Sequence, residues 1–381
     1  MKEIKNLANI GTGDILGNAV SAGFWFYLAI LISPEIYGEL HYFISIVGIV
    51  SYLVLIGSQN TITVYVAKKV QIQSTFNFIS IIGASIGFII LYLIFERIDI
   101  GFLVFGYVLN NLILGELFGK REYKNYLKYI LSQKILTPVL GLGFFFIFGI
   151  EGVIFGLALS YIGFTFRFIK SFRDVKIDFS LLRTRKGFII NNYLYTLSGT
   201  FHGQVDKIII MPILGSAVLG NYSLALQIIS AMMIISSIFY KYILPQDAAG
   251  HDTNKVKKLL IVISIAFTLI GFFIVPIVLP SVFPKYVESI DAIKIMSLSL
   301  LPMSMVKIYT SKFLALEKSR FILIGMIISL SVLIPTMIAF GMLYGVIGIA
   351  ISFVLSTIIQ ATYFYITSKK WDGGNNIEKS I

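Results

Sequence analysis

The chain consists largely of uninterrupted apolar runs, such as 75–95 and 259–279. A helix rises about 1.5 Å per residue, so about 20 apolar residues cross the roughly 30 Å of hydrocarbon in a bilayer. These runs do not alternate between apolar and polar residues, as the strands of a membrane β-barrel do. Charged residues make up only 13% of the chain, against about 25% in soluble domains. The sequence therefore predicts an all-α polytopic membrane protein with little room for a soluble domain.

Hydropathy and turn residues together predict about twelve transmembrane helices. We expect them near 9–32, 40–60, 75–95, 99–117, 127–149, 151–169, 187–213, 217–243, 258–280, 290–311, 320–341 and 345–368. Lys and Arg concentrate in every second loop, which indicates the cytoplasmic side. The intervening loops carry acids, with Arg97 and Lys285 as basic exceptions. We therefore expect a multi-pass protein of the cytoplasmic membrane with both termini in the cytoplasm.

The net charge of +12 follows from the same loops, because basic residues are favoured beside anionic lipid headgroups. It requires no nucleic-acid partner. The chain has no cysteine, and its three histidines, His41, His202 and His251, lie far apart. Nothing in the sequence matches a phosphate-binding loop or a nucleophile elbow. We expect no metal, no cofactor and no enzymatic activity, and a transporter of this kind would draw on an ion gradient.

Two segments of the first half reappear in the second. The segment 31–40, with Gly38, matches 214–222, with Gly220, and 152–160 matches 345–352 when one gap is allowed. Each half holds six predicted spans and begins on the same side, so the repeat is parallel. The predicted organisation is an N-terminal six-helix bundle at 1–170, a basic cytoplasmic linker at 171–186, a C-terminal six-helix bundle at 187–368 and a cytoplasmic tail at 369–381 that is disordered from Trp371 onwards. Two similar halves in a bilayer indicate a transporter.

Several short motifs resemble the oligosaccharide flippases called Wzx, of the multidrug/oligosaccharidyl-lipid/polysaccharide (MOP) exporter superfamily. They are Ser33-Pro34-Glu35 and Tyr37-Gly38, the stretch 65–69, Asp206-Lys207 followed by three isoleucines, Gly220-Asn221-Tyr222, and the stretch from Pro276 to Pro284 with Tyr286. The resemblance spans essentially the whole chain. It departs from the family in two ways, because the chain is short and because Lys207 stands where relatives often carry arginine. Lysine does not bind phosphate in the bidentate manner of arginine.

The resemblance implies a MATE-like fold, with two six-helix bundles around a central cavity. It also implies a flippase that moves polyprenyl-phosphate- or pyrophosphate-linked oligosaccharides across the cytoplasmic membrane by alternating access, for polysaccharide or surface glycan assembly. The implied partners are the lipid-linked oligosaccharide, membrane lipids, and a glycan polymerase with its assembly proteins. A proton or sodium gradient would drive transport, unless transport is facilitated and pulled by glycan consumption outside.

Two predicted spans at equivalent positions carry polar stripes with helical spacing. Span one places Asp14, Asn18, Ser21 and Trp25 on one face, and span seven places Asn192, Tyr195, Gly199, His202 and Asp206 on one face. Polar groups are costly in hydrocarbon and usually face water or one another. We expect these side chains to line a substrate cavity, with Asp14 and Asp206 as ion-coupling candidates. The alternative is that the small polar residues only hold helices together.

Lysines inside predicted spans form a second set of candidates for the substrate cavity, namely Lys134, Lys207 and Lys307. A fixed ammonium group in a wet cavity would pair with phosphate oxygens. Lys307 shares a helical face with Ser304 and Ser311, which strengthens its case. Lys294 is better explained by a side chain that extends to the membrane interface. For Lys134, extension to the interface and a place in the cavity are equally good explanations. Asp206 and Lys207 point about 100° apart on a helix, so we do not expect them to pair.

Other functions remain open from the sequence. A cation-coupled multidrug exporter of the same superfamily is the main alternative, although such a protein is expected to have an acidic cavity without lysines. A non-transporting membrane subunit, such as a scaffold for a glycan polymerase, would have no use for the polar stripes. A membrane glycosyltransferase would require an acidic metal-binding cluster in its loops, which this sequence does not contain.

Overall fold

The computed structural model describes residues 2–55, 59–70, 72–172, 177–316 and 318–378. Within helices, the side chains of 2–10, 170–172, 181, 184, 188, 195, 202, 248 and 371–378 lie outside the description. The described residues form helices and connecting turns and contain no β-strand. This confirms the all-α fold class predicted from hydropathy.

The first half of the chain begins with a helix of 30 residues and continues through helices joined by short turns. Proline stands at the first position of α2, where its missing N–H costs no hydrogen bond. The helices are α1 (Lys2–Leu31), α2 (Pro34–Val54), α3 (Gln59–Ala67), α4 (Gln73–Phe95), α5 (Ile98–Gly119), α6 (Tyr123–Leu159), α7 (Ile162–Phe172) and α8 (Ser180–Thr184).

The second half follows a similar order. A π-helical turn, Ile270–Ile274, links two of its helices. The helices are α9 (Lys186–Leu214), α10 (Ser216–Ala248), α11 (Asn254–Leu269), α12 (Val275–Val282), α13 (Ser289–Ser297), α14 (Leu300–Ala315) and α15 (Ser319–Glu378).

Two of the longest helical stretches are sharp hairpins. Gly149 in α6 and Gly345 in α15 have positive φ angles of 68° and 57°, which glycine adopts without the steric cost that a Cβ brings. After Gly149 the chain folds back so tightly that a Cβ at Gly152 would lie 2.2 Å from the carbonyl oxygen of Phe144. After Gly345, a Cβ at Gly348 would lie 1.9 Å from the carbonyl oxygen of Phe340. The α15 stretch therefore holds two antiparallel spans, and in the first half the span that follows Gly149 continues from α6 into α7.

The hairpins also correct the register of the second repeat. The sequence match places Gly152 opposite Gly345 and needs a gap. In the structure the two hinges are Gly149 and Gly345, and the close-packed glycine comes three residues later in both, at Gly152 and Gly348. When the two hinge glycines are aligned, the two halves match here without a gap. The hinge fixes this alignment, whereas the similar apolar residues around it match in more than one way.

By length and apolar composition, eight helices of the described chain can each cross a membrane, or nine when the bent pair α13 and α14 counts as one span. Two of the eight are the hairpins, which contribute two spans each. The remaining span is α9, which is 29 residues long but too polar for that criterion. Together these give the twelve spans predicted from the sequence, and the protein is a multi-pass membrane protein.

The chain divides into two compact units by its internal contacts. One comprises Met1–Leu28 and Leu40–Ile208, and the other comprises Ala29–Glu39 and Ile209–Ile381. In the first unit α5 lies at the centre. Of the residues in its most apolar stretch, 72% are buried, and the helix packs against α3, α4, α6 and α7. In the second unit α10, α13, α14 and α15 pack against one another. The predicted bundle bounds, 1–170 and 187–368, stay a prediction.

The predicted linker is partly docked in the first unit. The Thr75 hydroxyl accepts a hydrogen bond from the Asp178 backbone N–H at 2.9 Å, and the Phe179 ring lies 6.4 Å from the Phe78 ring. The Arg185 guanidinium lies 5.2 Å above the Tyr65 ring. The prediction of a disordered tail is wrong for its first part, because the α15 backbone continues as a helix to Glu378. No proline interrupts that segment, so the helix does not have to end with the membrane span.

Arg97 and Lys285, the two basic exceptions in the acidic loops, both have structural contacts. The guanidinium of Arg97 binds both carboxylate oxygens of Asp99, at 3.1 and 2.6 Å, and lies 4.4 Å above the Phe43 ring. The Lys285 ammonium donates to the carbonyl oxygen of Leu31 at 2.9 Å, at the end of α1. Such terminal carbonyls have no partner within their own helix. Both cations therefore have local roles, which accounts for their departure from the charge pattern.

Candidate functional site

In the first unit, two members of the polar stripe on α1 contact α6. The Tyr126 hydroxyl donates to an Asp14 carboxylate oxygen at 2.6 Å. About two turns further along α6, the Lys134 ammonium donates to the Ser21 hydroxyl at 3.2 Å. Its aliphatic stem passes over Gly17, where an added Cβ would lie 3.1 Å from the Lys134 Cγ. Asp14 and Lys134, which the sequence selected from separate spans, therefore both lie at the α1–α6 contact, about two helical turns apart.

The position of Lys134 decides between the two roles considered for it. It lies about 16 Å along α6 from Tyr123, well inside a slab of about 30 Å. The side chain is half-buried and points at α1 instead of extending to an interface. A lysine that reaches the interface would not be held by a serine of a neighbouring span, so Lys134 belongs to the interior of the bundle.

The other two predicted residues of α1 differ in exposure. Asn18 is exposed, on a helix turn between the two contacts with α6. Trp25 is half-buried, and its ring lies 4.9 Å from the His41 ring on α2 and 4.9 Å from the Phe24 ring. The Trp25 indole therefore packs against aromatic rings of α1 and α2. The exposed Asn18 side chain is accessible to a ligand.

On α9, Asp206 and Lys207 form a pair, which contradicts the expectation from their helical angle. The Lys207 ammonium lies 3.5 Å from an Asp206 carboxylate oxygen, and the Lys207 backbone N–H donates to the same oxygen at 2.8 Å. The ammonium also donates to the Gly203 carbonyl at 3.1 Å. The long lysine side chain turns back along the helix, so the angle between the two Cβ directions does not keep the charges apart.

The remaining α9 candidates are only partly described. The carbonyl oxygen of Asn192 accepts a hydrogen bond from the Thr196 hydroxyl at 2.8 Å, and its side chain is half-buried. The side chains of Tyr195 and His202 lie outside the described residues, although the backbone of both is helical. Asp206 is 7% exposed, so it is the buried acid of this stripe.

In the second unit, Lys307 on α14 donates to the Ser237 hydroxyl on α10 at 2.5 Å. Next to this contact, three serines of three helices meet within the bundle. The Ser264 hydroxyl donates to the Ser304 hydroxyl at 2.7 Å, and Ser304 lies 3.0 Å from the Ser236 hydroxyl. Each buried hydroxyl group thus has a hydrogen-bond partner on a neighbouring helix, as polar groups within hydrocarbon require. The result is a polar seam that ends at the ammonium group of Lys307.

A second lysine, Lys241, lies close to this contact and was missed by sequence reasoning. It follows Ser237 by one helical turn on α10, and its positive charge acts on Lys307. The sequence did hold a signal, because Lys241 falls before the end of the predicted span 217–243.

The charges of Lys134 and Lys307 are not neutralised by acids of the described chain. Within that part of the protein, no carboxylate lies within 4.0 Å of either ammonium, and both donate to serine hydroxyls. By contrast, Lys294 lies 5.6 Å above the Phe272 ring, which stabilises its charge at the helix surface. Among the described residues, no group of three His, Cys, Asp or Glu could hold a metal ion. The sites are suited to binding an anion.

Comparison with known proteins shows which solved structures share this fold. No protein-family model matches the chain, and a search of curated proteins finds no match. Among solved structures, an inward-facing multidrug-resistance MATE family transporter of the MOP superfamily has a TM-score of 0.69 at 15% identity, covering 97% of this chain and 98% of that one.

The lipid II flippase MurJ in an inward closed conformation has a TM-score of 0.71 at 15% identity, covering 94% of this chain and 87% of that one. An outward-facing MATE transporter has a TM-score of 0.65 at 14% identity, covering 97% of this chain and 96% of that one. The chain therefore has the polytopic all-α fold shared by MATE transporters and the MurJ flippase of the MOP superfamily.

Proposed function

We propose that the protein is a flippase for a lipid-linked oligosaccharide whose carrier ends in a phosphate or pyrophosphate. The observation that carries the proposal is the pair of intramembrane ammonium groups, Lys134 and Lys307, each held by a serine hydroxyl. A charged side chain at membrane depth is costly and usually marks a substrate or ion pathway. Two such cations, one in each unit, suit a substrate that brings negative charge into the membrane.

Electrostatics favours this substrate over a cationic drug. Two like charges about 4 Å apart repel by about 4 kcal/mol at the effective dielectric constant typical of a protein surface. A cationic compound that approached Lys307 and Lys241 would meet this repulsion twice. A phosphate would instead gain charge-assisted hydrogen bonds from both ammonium groups and from the Ser237 hydroxyl.

The alternative is a cation-coupled multidrug exporter, and the environment of Asp14 favours it. The Asp14 carboxylate accepts a hydrogen bond from a neutral tyrosine hydroxyl, Tyr126. A carboxylate at membrane depth often marks an ion pathway. An acid of this kind would also let Asp14, together with Asp206, couple a flippase to an ion gradient, so it bears on the energy source more than on the substrate.

The remaining features of the proposal come from the sequence. The basic loops support a cytoplasmic-membrane protein with both termini in the cytoplasm. The partners that go with this function are a glycan polymerase and its assembly proteins, in addition to the membrane lipids. The charge distribution suits a carrier loaded on the cytoplasmic side.

The test is lipid flipping by the full chain in liposomes, with a fluorescent polyprenyl-pyrophosphate-linked oligosaccharide on one leaflet. We expect Lys134→Gln and Lys307→Gln each to lower the flipping rate about tenfold, equal to about 1.4 kcal/mol of lost stabilisation. Lys307→Arg should keep most of the rate, because it keeps the charge. Lys294→Gln is the matched control and should leave the rate unchanged.

Two results would contradict the proposal. One is flipping that both glutamine variants leave intact. The other is the absence of flipping together with extrusion of a cationic dye along a proton or sodium gradient, which would establish the exporter. In either case Asp14→Asn and Asp206→Asn, assayed with and without the gradient, would show whether these carboxylates couple transport to an ion.

A further inference from the structure

The first unit has a cavity on its outer surface where two turns meet. It lies between the α4–α5 turn and the start of the span that follows Gly149, and its volume is about 350 Å³. The lining includes Glu96, Arg97 and Asp99 from the first turn, and Glu151 and Phe155 from the second. The sequence predicts that both turns face the extracytoplasmic side. The cavity thus lies at the level of the outer lipid headgroups.

An apolar slot of about 170 Å³ lies next to this cavity, along the same two helices. Phe155 lines both spaces, and its ring lies 5.8 Å from the Phe102 ring at the junction. Below it the slot follows the α5 face from Phe102 to Leu109 and passes Ala158 on the opposite wall. From Ile98 to Leu109 the helix rises about 16 Å, which is comparable with one leaflet of hydrocarbon.

The slot and the cavity lie on the outside of the unit. Phe102 is 45% exposed and Phe148 is 62% exposed. Aromatic side chains with this exposure on a membrane-spanning segment are suited to contact with lipid. The two spaces together have the form of a site for an amphiphile, with the headgroup in the cavity and the hydrocarbon chain in the slot.

The charge of the cavity is negative on balance. Arg97 and Asp99 are largely buried and form a bidentate ion pair, so they neutralise each other. Glu96 and Glu151 are both exposed at the mouth, and neither takes part in an ion pair of the described structure. Two carboxylates therefore remain above an apolar slot, where they attract a cationic group and repel an anionic one.

We propose that this surface binds a membrane phospholipid whose headgroup carries a primary amine, of the phosphatidylethanolamine type. The ammonium group would donate hydrogen bonds to Glu96 and Glu151, and one acyl chain would fill the slot below Phe155. A quaternary ammonium has no N–H to donate, and a headgroup without an amine brings only its negative phosphate to two carboxylates. The proposal concerns a surface separate from the lysine sites, so it does not depend on the substrate that the protein moves.

The experiment is native mass spectrometry of the purified full chain with three lipids that share palmitoyl and oleoyl chains. Their headgroups are ethanolamine, choline and glycerol. For the wild type we expect ethanolamine lipid to bind about fivefold more tightly than choline lipid, the size typical of a partly exposed charge-assisted hydrogen bond. Glycerol lipid should bind most weakly.

Three variants separate the parts of the site. The double variant Glu96→Gln with Glu151→Gln should lose the preference for ethanolamine, and both changes lie at exposed positions that tolerate them. Ala158→Phe should weaken all three lipids because it fills the slot. Asp291→Asn, a change at an exposed acid of the second unit, should have no effect. Equal binding of ethanolamine and choline lipids to the wild type would overturn the proposal, and so would a preference that survives in the double glutamine variant.

Discussion

Glu116 of α5 is a buried charge that accepts hydrogen bonds from three other residues. Its side chain is 1% exposed. One carboxylate oxygen accepts hydrogen bonds from Lys120 at 2.8 Å and Arg167 at 2.9 Å, and the other accepts one from Gln73 at 2.8 Å. Arg167 also binds Glu122 at 2.9 Å. Glu116 thus ties α4, α5 and α7 together at the end of a span.

We expect Glu116→Gln to destabilise the protein by about 3 to 5 kcal/mol, because it leaves Arg167 buried with part of its charge uncompensated. Thermal unfolding in detergent, followed by intrinsic fluorescence, measures the change. Lys120→Gln is the matched control, since its side chain is 46% exposed and an exposed partner contributes about 1 kcal/mol or less. If the two variants lost the same amount of unfolding free energy, the burial of Glu116 would not be the reason that its ion pair with Arg167 stabilises the protein.

Such contacts could not be read from the sequence. Gln73 and Arg167 lie 43 and 51 residues from Glu116, and Tyr126 lies 112 residues from Asp14. Helical spacing shows which side chains share a face of one span, as it did for Asp14 and Ser21. It does not show which other span covers that face. The candidates on α1 and α14 could be selected from the sequence as polar residues inside predicted spans, whereas their partners, and Lys241, became visible only in the structure.

At the scale of helices, the closest approach joins the beginnings of α2 and α10. A Cβ at Gly38 would lie 2.0 Å from the Ser216 carbonyl oxygen, and a Cβ at Gly220 would lie 1.8 Å from the Pro34 carbonyl oxygen. Both glycines belong to the second unit. The sequence identified Gly38 and Gly220 as equivalent positions of a repeat, but it gave no sign that they touch, because equivalence in a repeat is not proximity.

Replacing either glycine should be costly. Gly38→Ala and Gly220→Ala place a methyl group against backbone atoms that cannot turn aside, and overpacking of this kind costs about 1 to 3 kcal/mol. Gly23→Ala is the control within α1, since nothing lies within 4 Å of a Cβ at that position. The melting temperature of each purified variant distinguishes them. A Gly38→Ala protein as stable as the Gly23→Ala protein would argue against the close crossing.

Considering the whole molecule, hydropathy alone was enough for the class, the number of spans and their approximate bounds. The reason is physical, because every backbone polar group in hydrocarbon must be paired within a helix, which leaves few alternatives for a long apolar run. The division into units was harder to anticipate. The boundary passes through α1 at Leu28 and through α9 at Ile208, inside continuous helices, where no change in composition marks it.

The side of the membrane on which each loop lies can be tested directly, since the chain has no cysteine of its own. We expect a membrane-impermeant thiol reagent to label Asp291→Cys in intact cells, because that exposed residue follows an acidic loop. Lys124→Cys, also exposed, should react only after the cells are permeabilised. The opposite pattern of labelling would place both termini outside the cytoplasm.

The contact between Gly38 and Gly220 is reciprocal, since each glycine faces the residues four before the other, Ser216 and Pro34. Reciprocal contacts of this kind are what two identical subunits make across a two-fold axis. A polypeptide of half this length would carry both surfaces of the crossing. Two copies of it could meet glycine to glycine, so a homodimeric ancestor would already have possessed the helix pair that now lies within one chain.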